Sequence, residues 1–259
     1  MSLASRGERI TSAMHRRIAP TVRYSQIDYE EFLFRRAGHA TAWLDLGCGH
    51  RLLPEWRGAA ERRLLSLVPF VVGADYDFDS LRAHRSIRHR VRADARQLPF
   101  PDEAFDLITA NMVVEHLDDP ERQFADIARI LRPGGVFVFH TPNASSYFVA
   151  IARRLPDALK TRLARFFEGR VSEDVFHTHY RANRVRDIRR IAGRTGFAVD
   201  EMKLTSSVPN TRVLPFFAVF ELLLLRALEH PRLAGYRTNI ICALRKQPTE
   251  ARVLSAVAT

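Results

Sequence analysis

The sequence is poor in cysteine and in lysine. Two cysteines, Cys48 and Cys242, among 259 residues are too few for the disulfide framework of a small secreted domain. Only three of the 40 basic side chains are lysines, so 37 arginines carry nearly all of the positive charge. The net charge of +11 excludes an acidic disordered chain. It leaves an anionic membrane among the candidate partners, with nucleic acid less favoured. The low cysteine content favours a reducing, cytoplasmic location.

The sequence also lacks an apolar run long enough to predict a membrane-spanning helix. Its first 17 residues mix charged and apolar side chains, unlike the core of a signal peptide. Its most apolar stretch, residues 213–228, is sixteen residues long and is interrupted by Glu221 and Arg226, whereas a span needs about 20 apolar residues. Two interpretations stay open: a buried or lid helix, or a helix that lies on the inner face of a membrane or grips an apolar substrate.

Short apolar runs alternate with helix-like segments, which is the pattern of a parallel α/β sheet. The predicted strands are 42–46, 70–74, 90–93, 105–110, 136–140, 197–204 and 238–244. Asp119 is predicted to cap a helix that Pro133-Gly134-Gly135 ends, and Asn183 could cap a helix that stops near Gly193–Gly196. Residues 1–38 are predicted to form an N-terminal helical cap. Residues 143–180 and 207–236 are longer than ordinary connections and are predicted to be insertions.

Two predicted strands end in features that suit a nucleotide-like ligand. Gly47 and Gly49 follow the first strand, and because glycine has no Cβ the backbone there can turn sharply against a ligand. Asp75 follows the second strand, where a carboxylate can accept both hydroxyls of a ribose. The sequence has no lysine-bearing phosphate loop, and Leu52 stands where a nicotinamide dinucleotide fold has its third glycine. The pattern therefore favours a cofactor without a phosphate chain.

Five motifs together resemble a known family. They are LDLGCG (44–49), VGAD (72–75), RADARQLPF (92–100), FDLITANMVVEHL (105–117) and RILRPGGVFVFHTPN (129–143). In order and spacing they resemble class I S-adenosylmethionine-dependent methyltransferases, in the small-molecule branch that includes quinone-biosynthesis enzymes. The resemblance implies a Rossmann-like α/β sheet of seven strands with helices on both faces and helical lid insertions, spanning residues 39–259. It also implies S-adenosylmethionine as cofactor and a small-molecule or lipid-linked acceptor, methylated at oxygen.

The resemblance also implies the cofactor-binding residues. They are Asp45, Gly47, Cys48, Gly49, Asp75, Tyr76, Asp94, Ala95, Asn111 and Met112. Asp75 would bind the ribose, Asp94 and Ala95 the adenine edge, and Asn111 with Met112 the methionyl end. From its residue type and position alone, Asp94 would more often cap a helix than bind a ligand.

Two positions depart from the family pattern. Arg51 stands where the family usually has a glycine, two positions after Gly49, and this departure could alter the cofactor pocket. Met112 stands where some related quinone O-methyltransferases carry an acidic residue that helps to bind a divalent metal. No metal is therefore expected.

Four side chains are candidates for catalysis: Glu115, His116, His177 and His179. Histidine is the side chain best suited to accept a proton near neutral pH. His116 could equally make a structural hydrogen bond at the start of a helix, and His140 is a weaker candidate. An RNA or protein methyltransferase and a non-catalytic cofactor-binding relative stay open as alternatives. Against the first alternative, this sequence lacks the Asn-Pro-Pro-Tyr-type motif that N-methylating nucleic-acid enzymes carry after the fourth strand. Arg51 is the feature that favours a non-catalytic relative.

Overall fold

The computed structural model describes residues 3–147, 149–150, 178–209, 211 and 214–248. The strands of these residues are β1 (Ala42–Leu46), β2 (Phe70–Asp75), β3 (His89–Arg92), β4 (Phe105–Asn111), β5 (Leu131–Pro142), β6 (Phe197–Thr205) and β7 (Asn239–Lys246). Their helices are α1 (Leu3–Ile18), α2 (Ser25–Ala37), α3 (Gly58–Ser66), α4 (Phe78–Ala83), α5 (Pro120–Ile130), α6 (Val185–Thr195) and α7 (Pro215–Leu228). Short 3-10 turns cover Glu55–Arg57, Val114–His116 and Pro231–Tyr236.

The seven strands form one sheet in the order β3-β2-β1-β4-β5-β7-β6. The first five strands of this order, β3, β2, β1, β4 and β5, pair in parallel with one another. The strand order reverses between β1 and β4, and in such sheets a ligand binds beyond the carboxyl ends of the strands at this point. The predicted Rossmann-like fold class is confirmed, with strand ends shifted by a few residues.

The helix ends show which local signals were sufficient. Asp119 caps α5, as predicted, because its carboxylate accepts a hydrogen bond from the Arg122 backbone N–H at 3.3 Å. The α6 helix ends at Thr195, and its C-cap is Gly196, which adopts the left-handed conformation with φ of 82°. The prediction that Asn183 caps α6 is wrong. The N-cap is Arg184, and the Asn183 side chain is buried and donates to Thr141 Oγ1 at 2.6 Å.

The end of α5 also differs from the prediction. The helix stops at Ile130, and the chain enters β5 at Leu131, before the Pro-Gly-Gly sequence that was expected to end the helix. Within the core, the Phe124 ring of α5 packs edge-on against Phe137 and Phe139 of β5, with ring centroids 5.4 and 5.8 Å apart. This aromatic contact holds α5 against the sheet.

The chain divides into two compact units. One comprises Met1–Ile27, Asn143–His177 and Leu204–Asn239, and the other comprises Asp28–Pro142, Thr178–Lys203 and Ile240–Thr259. In the first unit, α1 packs on α7 through a small cluster that contains Leu222 and Leu225. The second unit holds most of the sheet, with a core around the fully buried Trp43. Within the described residues, no helix has the length and apolarity needed to cross a membrane.

Candidate functional site

The turn after β1 strongly favours glycine at its first position. Gly47 and Gly49 both have positive φ values, of 70° and 52°. The Gly47 N–H donates to Ala74 O at 2.7 Å, which ties the turn to the end of β2. A Cβ on Gly47 would lie 2.3 Å from Val113 Cγ2, whereas a Cβ on Gly49 would meet no atom within 4 Å. The turn is therefore closed on one side and open on the other, where a ligand could approach the backbone.

Asp75 lies across this turn from the end of β2. Its Oδ2 accepts the Gly49 N–H at 2.8 Å, and its Oδ1 accepts the Asp77 N–H at 2.9 Å. A carboxylate has about four acceptor positions, so each oxygen keeps capacity for a hydroxyl donor. Asp75 is thus held in place by backbone donors while remaining able to bind a diol.

Asp45 is buried at the carboxyl end of β1. Thr109 on β4 donates its hydroxyl to Asp45 Oδ1 at 2.6 Å, and Trp43 Nε1 donates to Thr109 Oγ1 at 2.8 Å. Burial raises the pKa of Asp45 to about 7, the Thr109 hydrogen bond opposes this shift, and the negative charges of Asp75 and Glu61 add to it. A cation placed beside Asp45 would favour its ionised form. Sequence reasoning missed Thr109, since a threonine in an apolar strand is an ordinary strand residue.

Asp94, the candidate adenine ligand, follows β3 in a tight turn closed by a hydrogen bond from Gln97 N–H to its carbonyl, at 3.0 Å. Arg96 donates from Nε to Asp94 Oδ2 at 2.9 Å, and this bond lowers the pKa of Asp94 below its ordinary value. Asp94 therefore does not cap a regular helix. Tyr76 is 55% exposed, with the Arg92 guanidinium 5.5 Å from its ring centroid.

The residues expected at the methionyl end lie at the end of β4. Asn111 Oδ1 lies 2.9 Å from His140 Nδ1 on β5, and the Met112 N–H donates to His140 O at 2.8 Å. Met112 has a φ of 56° and is 38% exposed. Because an amide oxygen can only accept, His140 carries its proton on Nδ1. This hydrogen bond joins the end of β4 to β5.

His140 itself is poorly suited to accept a proton from a substrate. Its ring is buried and stacks on Tyr29 of α2, with centroids 5.6 Å apart and an interplanar angle of 26°. Burial lowers the pKa of His140 to about 4, so the ring is neutral at pH 7. These contacts indicate a structural role for His140, next to the candidate site. Tyr29 comes from the N-terminal region and was not predicted to reach it.

The structure brings two of the candidate catalytic segments together. Glu115 O accepts the backbone N–H of His179 at 2.8 Å and that of Tyr180 at 3.2 Å. His116 and His179 are both partly exposed. His177, the fourth candidate, lies outside the described residues.

The Glu115 side chain is buried and belongs to a polar chain. Thr141 donates its hydroxyl to Glu115 Oε2 at 2.9 Å, and Thr141 accepts in turn from Asn183 Nδ2 at 2.6 Å. These contacts suit a residue that positions its neighbours. Neither Thr141 nor Asn183 was predicted to belong to the site.

Arg51, which replaces a usual family glycine, pairs with Glu55 at the surface, with Nη1 3.4 Å from the carboxylate. In the part of the chain that the structure describes, no cluster of three or more His, Cys, Asp or Glu side chains is placed to hold a metal ion. A cavity of about 590 Å³ lies at the opposite end of the strands, near the starts of β4 and β5. Its charged lining includes the ion pairs of Arg132 with Asp106 and of Arg36 with Asp200. This cavity is separate from the candidate site.

A family model described as a methyltransferase domain matches residues 15–202, which is most of the chain. The chain belongs to this methyltransferase family. The matched residues include the Gly47–Gly49 turn, Asp75, Asp94 and the segment that carries Glu115 and His116.

Individual relatives agree with this membership. The chain is 33% identical over 105 residues to the malonyl-[acyl-carrier protein] O-methyltransferase of Serratia marcescens, covering 40% of the chain and 39% of that protein. It is 33% identical over 130 residues to a demethylmenaquinone methyltransferase of Mycobacterium sp. (strain KMS), covering 48% and 56%. The chain therefore spans about half the length of the curated relatives it matches.

A solved structure shares the fold. It is an S-adenosylmethionine-dependent methyltransferase from Mesorhizobium loti, with a TM-score of 0.55 and 21% identity. The match covers 84% of this chain and 95% of the Mesorhizobium protein.

Proposed function

We propose that the chain binds S-adenosylmethionine at the carboxyl ends of β1, β2 and β4 and transfers its methyl group to a small-molecule or lipid-linked acceptor. The observation that carries this proposal is the Gly47–Gly49 turn with Asp75 hydrogen-bonded across it, beside the buried Asp45, in a member of a methyltransferase family. A relative named for demethylmenaquinone supports the apolar acceptor. A relative named as an O-methyltransferase supports oxygen as the methylated atom.

The described residues fit the cofactor by their chemistry. Bound S-adenosylmethionine supplies an electrophilic methyl group on a sulfonium cation. Asp45 offers a carboxylate to the positively charged methionyl end, Asp75 offers two oxygens to the ribose hydroxyls, and Asp94 offers acceptor positions to the adenine amino group. The remaining residues predicted from the family to line the cofactor are Cys48, Tyr76, Ala95, Asn111 and Met112.

Transfer to a hydroxyl requires that the hydroxyl proton be accepted as the new bond forms. His116 and His179 are the proposed proton acceptors, because both are partly exposed and the Glu115 carbonyl joins their segments. Glu115 is proposed to position them, since its carboxylate is buried and bonded to Thr141. His177 stays a prediction from the sequence.

Calorimetry with S-adenosylhomocysteine and a methyl-transfer screen with labelled cofactor test the proposed function. We expect S-adenosylhomocysteine to bind with micromolar affinity. We also expect the labelled methyl group to appear in a small molecule from an apolar extract. His116→Gln and His179→Gln are expected to keep S-adenosylhomocysteine affinity, while the variant that removes the proton acceptor lowers kcat by about 10²–10⁴-fold. An absence of binding at high micromolar ligand would contradict the cofactor assignment. Unchanged kcat in both variants would remove the histidines from the mechanism.

The affinity for S-adenosylmethionine is expected to rise with pH because of Asp45. The raised pKa, about 7, leaves this carboxyl largely neutral at pH 6 and largely ionised at pH 8. A cationic ligand binds the ionised form better, so we expect an increase of about tenfold between these two pH values. Calorimetry at pH 6, 7 and 8 measures it. Asp45→Asn should bind more weakly and lose this pH dependence, and an equally steep profile in that variant would assign the titration to another group.

We also propose that residues 213–228 bring the chain into peripheral contact with a membrane, at its inner face. A lipid-linked acceptor has to be met where it is dissolved, and this segment is the most apolar of the sequence. Association with vesicles is the measurement that tests the contact.

A further inference from the structure

The α7 helix is apolar around most of its circumference. Leu222 and Leu225 on one face are fully buried and pack against α1. The other face is exposed, with accessible fractions of 70% for Phe216, 57% for Phe217 and 60% for Phe220. Leu223 and Leu224 extend this face, at 50% and 39% exposed. A surface helix normally carries polar residues on its outer face. The α7 helix instead has the apolar composition of a helix that is buried on both faces.

The exposed phenylalanines form one patch. The Phe216 ring packs edge-on against Phe217, with centroids 5.6 Å apart, and against Phe220, with centroids 5.3 Å apart. Together with the two leucines they expose on the order of 500 Å² of apolar surface. A contiguous patch of this size on a protein surface marks an interaction site more often than isolated exposed side chains do. We call these five residues the α7 patch.

The unit that carries the α7 patch is basic. Its segments Met1–Ile27 and Leu204–Asn239 contain nine arginines and three glutamates, a net charge of +6 out of +11 for the whole chain. Two of the three glutamates are engaged within the unit. Glu221 is buried and accepts hydrogen bonds from Tyr147 and from Thr211, and Glu229 accepts the hydroxyl of Thr21.

Some of these arginines lie where α1 and α7 meet. Arg226 in the last turn of α7 donates to Ile18 O at 3.4 Å, at the end of α1. Arg16 and Arg17 stand in the last turn of α1, and all three arginines are exposed. Exposed guanidinium groups therefore accompany the apolar helix, and guanidinium binds phosphate oxygens well.

We infer that the α7 patch inserts into an anionic lipid bilayer, with its phenylalanines at the boundary of headgroups and acyl chains and with arginines of the same unit on lipid phosphates. This inference deepens the membrane contact proposed above and rests on it, because it names the lipid class and the inserted side chains. A second copy of the chain fits less well. The patch falls short of the roughly 800 Å² per partner that a stable interface buries, and a symmetric contact would bring two surfaces of net positive charge together.

The test is flotation of the full chain with vesicles. We expect binding to phosphatidylcholine vesicles that contain 30% phosphatidylglycerol to be at least tenfold stronger than to pure phosphatidylcholine, and to weaken in 0.5 M salt. Serine at Phe216, Phe217 and Phe220 together should reduce binding at least tenfold. Phe70→Ser is the matched control, since Phe70 is 45% exposed on β2, and it should bind like the wild type.

Two further measurements separate the outcomes. The triple variant should bind S-adenosylhomocysteine with wild-type affinity, which shows that it is folded. Wild-type flotation by the triple variant, or equal binding to neutral and anionic vesicles, overturns the inference. If the wild type sediments as a dimer and the triple variant as a monomer, a second copy of the chain covers the α7 patch. This result would also overturn the lipid inference. Flotation without any S-adenosylhomocysteine binding would contradict the proposed methyl transfer and leave the lipid inference standing.

Discussion

Replacing Gly47 with alanine is expected to lower the free energy of unfolding by about 2–4 kcal/mol, which corresponds to a fall of roughly 4–16 °C in Tm. Two costs add in this variant. The φ of 70° is unfavourable for any residue with a side chain, and the new Cβ would lie 2.3 Å from Val113 Cγ2. Thermal unfolding followed by circular dichroism measures the change, and the distorted turn should also weaken S-adenosylhomocysteine binding.

The matched control for this substitution is Gly193→Ala. Gly193 lies inside α6, and a Cβ there would meet no atom within 4 Å. Because alanine favours a helix over glycine by about 1 kcal/mol, this variant should be as stable as the wild type or slightly more so. Adding Val113→Ala to Gly47→Ala should recover the steric part of the loss but not the backbone part. A wild-type Tm for Gly47→Ala would show that the turn can adopt another conformation.

Asp75→Ala is expected to weaken S-adenosylhomocysteine binding by about 30- to 1,000-fold. The carboxylate holds the Gly49 and Asp77 backbone N–H groups at 2.8 and 2.9 Å, and in the proposed complex it also accepts the ribose hydroxyls. Hydrogen bonds to a charged group are worth about 1.5–3 kcal/mol each. Because two contacts to one carboxylate do not add fully, losing both ribose contacts should cost about 2–4 kcal/mol. Titration calorimetry at pH 7.5 measures the affinity.

Asp79→Ala serves as the control for Asp75→Ala. Asp79 is an exposed carboxylate in the first turn of α4, close in sequence and equal in charge. Its removal should change the affinity by no more than about twofold, since a surface charge at a helix start contributes only a few tenths of a kcal/mol. If both variants bound S-adenosylhomocysteine equally well, Asp75 would have no direct contact with the ligand.

The parts of the fold that the sequence predicts are those encoded by neighbouring residues. The run Val136–Phe139 is apolar on both faces, which is sufficient to predict a strand covered on both sides. The glycines of the turn and the Asp119 cap are equally local. The resemblance to a family contributed the cofactor and the residues expected to bind it, which periodicity alone does not provide.

The parts of the site that were missed depend on contacts between distant residues. Thr109 bonds to Asp45 across 64 positions of sequence, and no pattern near either residue indicates the pair. Tyr29 reaches His140 from a helix that precedes every strand of the sheet. Asn183 is a residue type that often caps helices, but its side-chain amide donates to the buried hydroxyl of Thr141 instead. Such choices are set by which polar groups become buried together, and this is decided only when the chain is folded.

The Asn183 amide has a consequence for how this protein could diversify. Its Nδ2 donates both to Thr141 Oγ1 at 2.6 Å and to Pro142 O at 3.1 Å, so one side chain joins the point where the chain leaves β5 to the point where it returns before α6. The ends of the intervening stretch are held by residues outside it. Lengthening such a stretch is entropically inexpensive, since doubling a loop costs only about 0.6 kcal/mol. A change in the length of this stretch would therefore leave the Asn183 contacts in place, because Thr141, Pro142 and Asn183 all lie outside it.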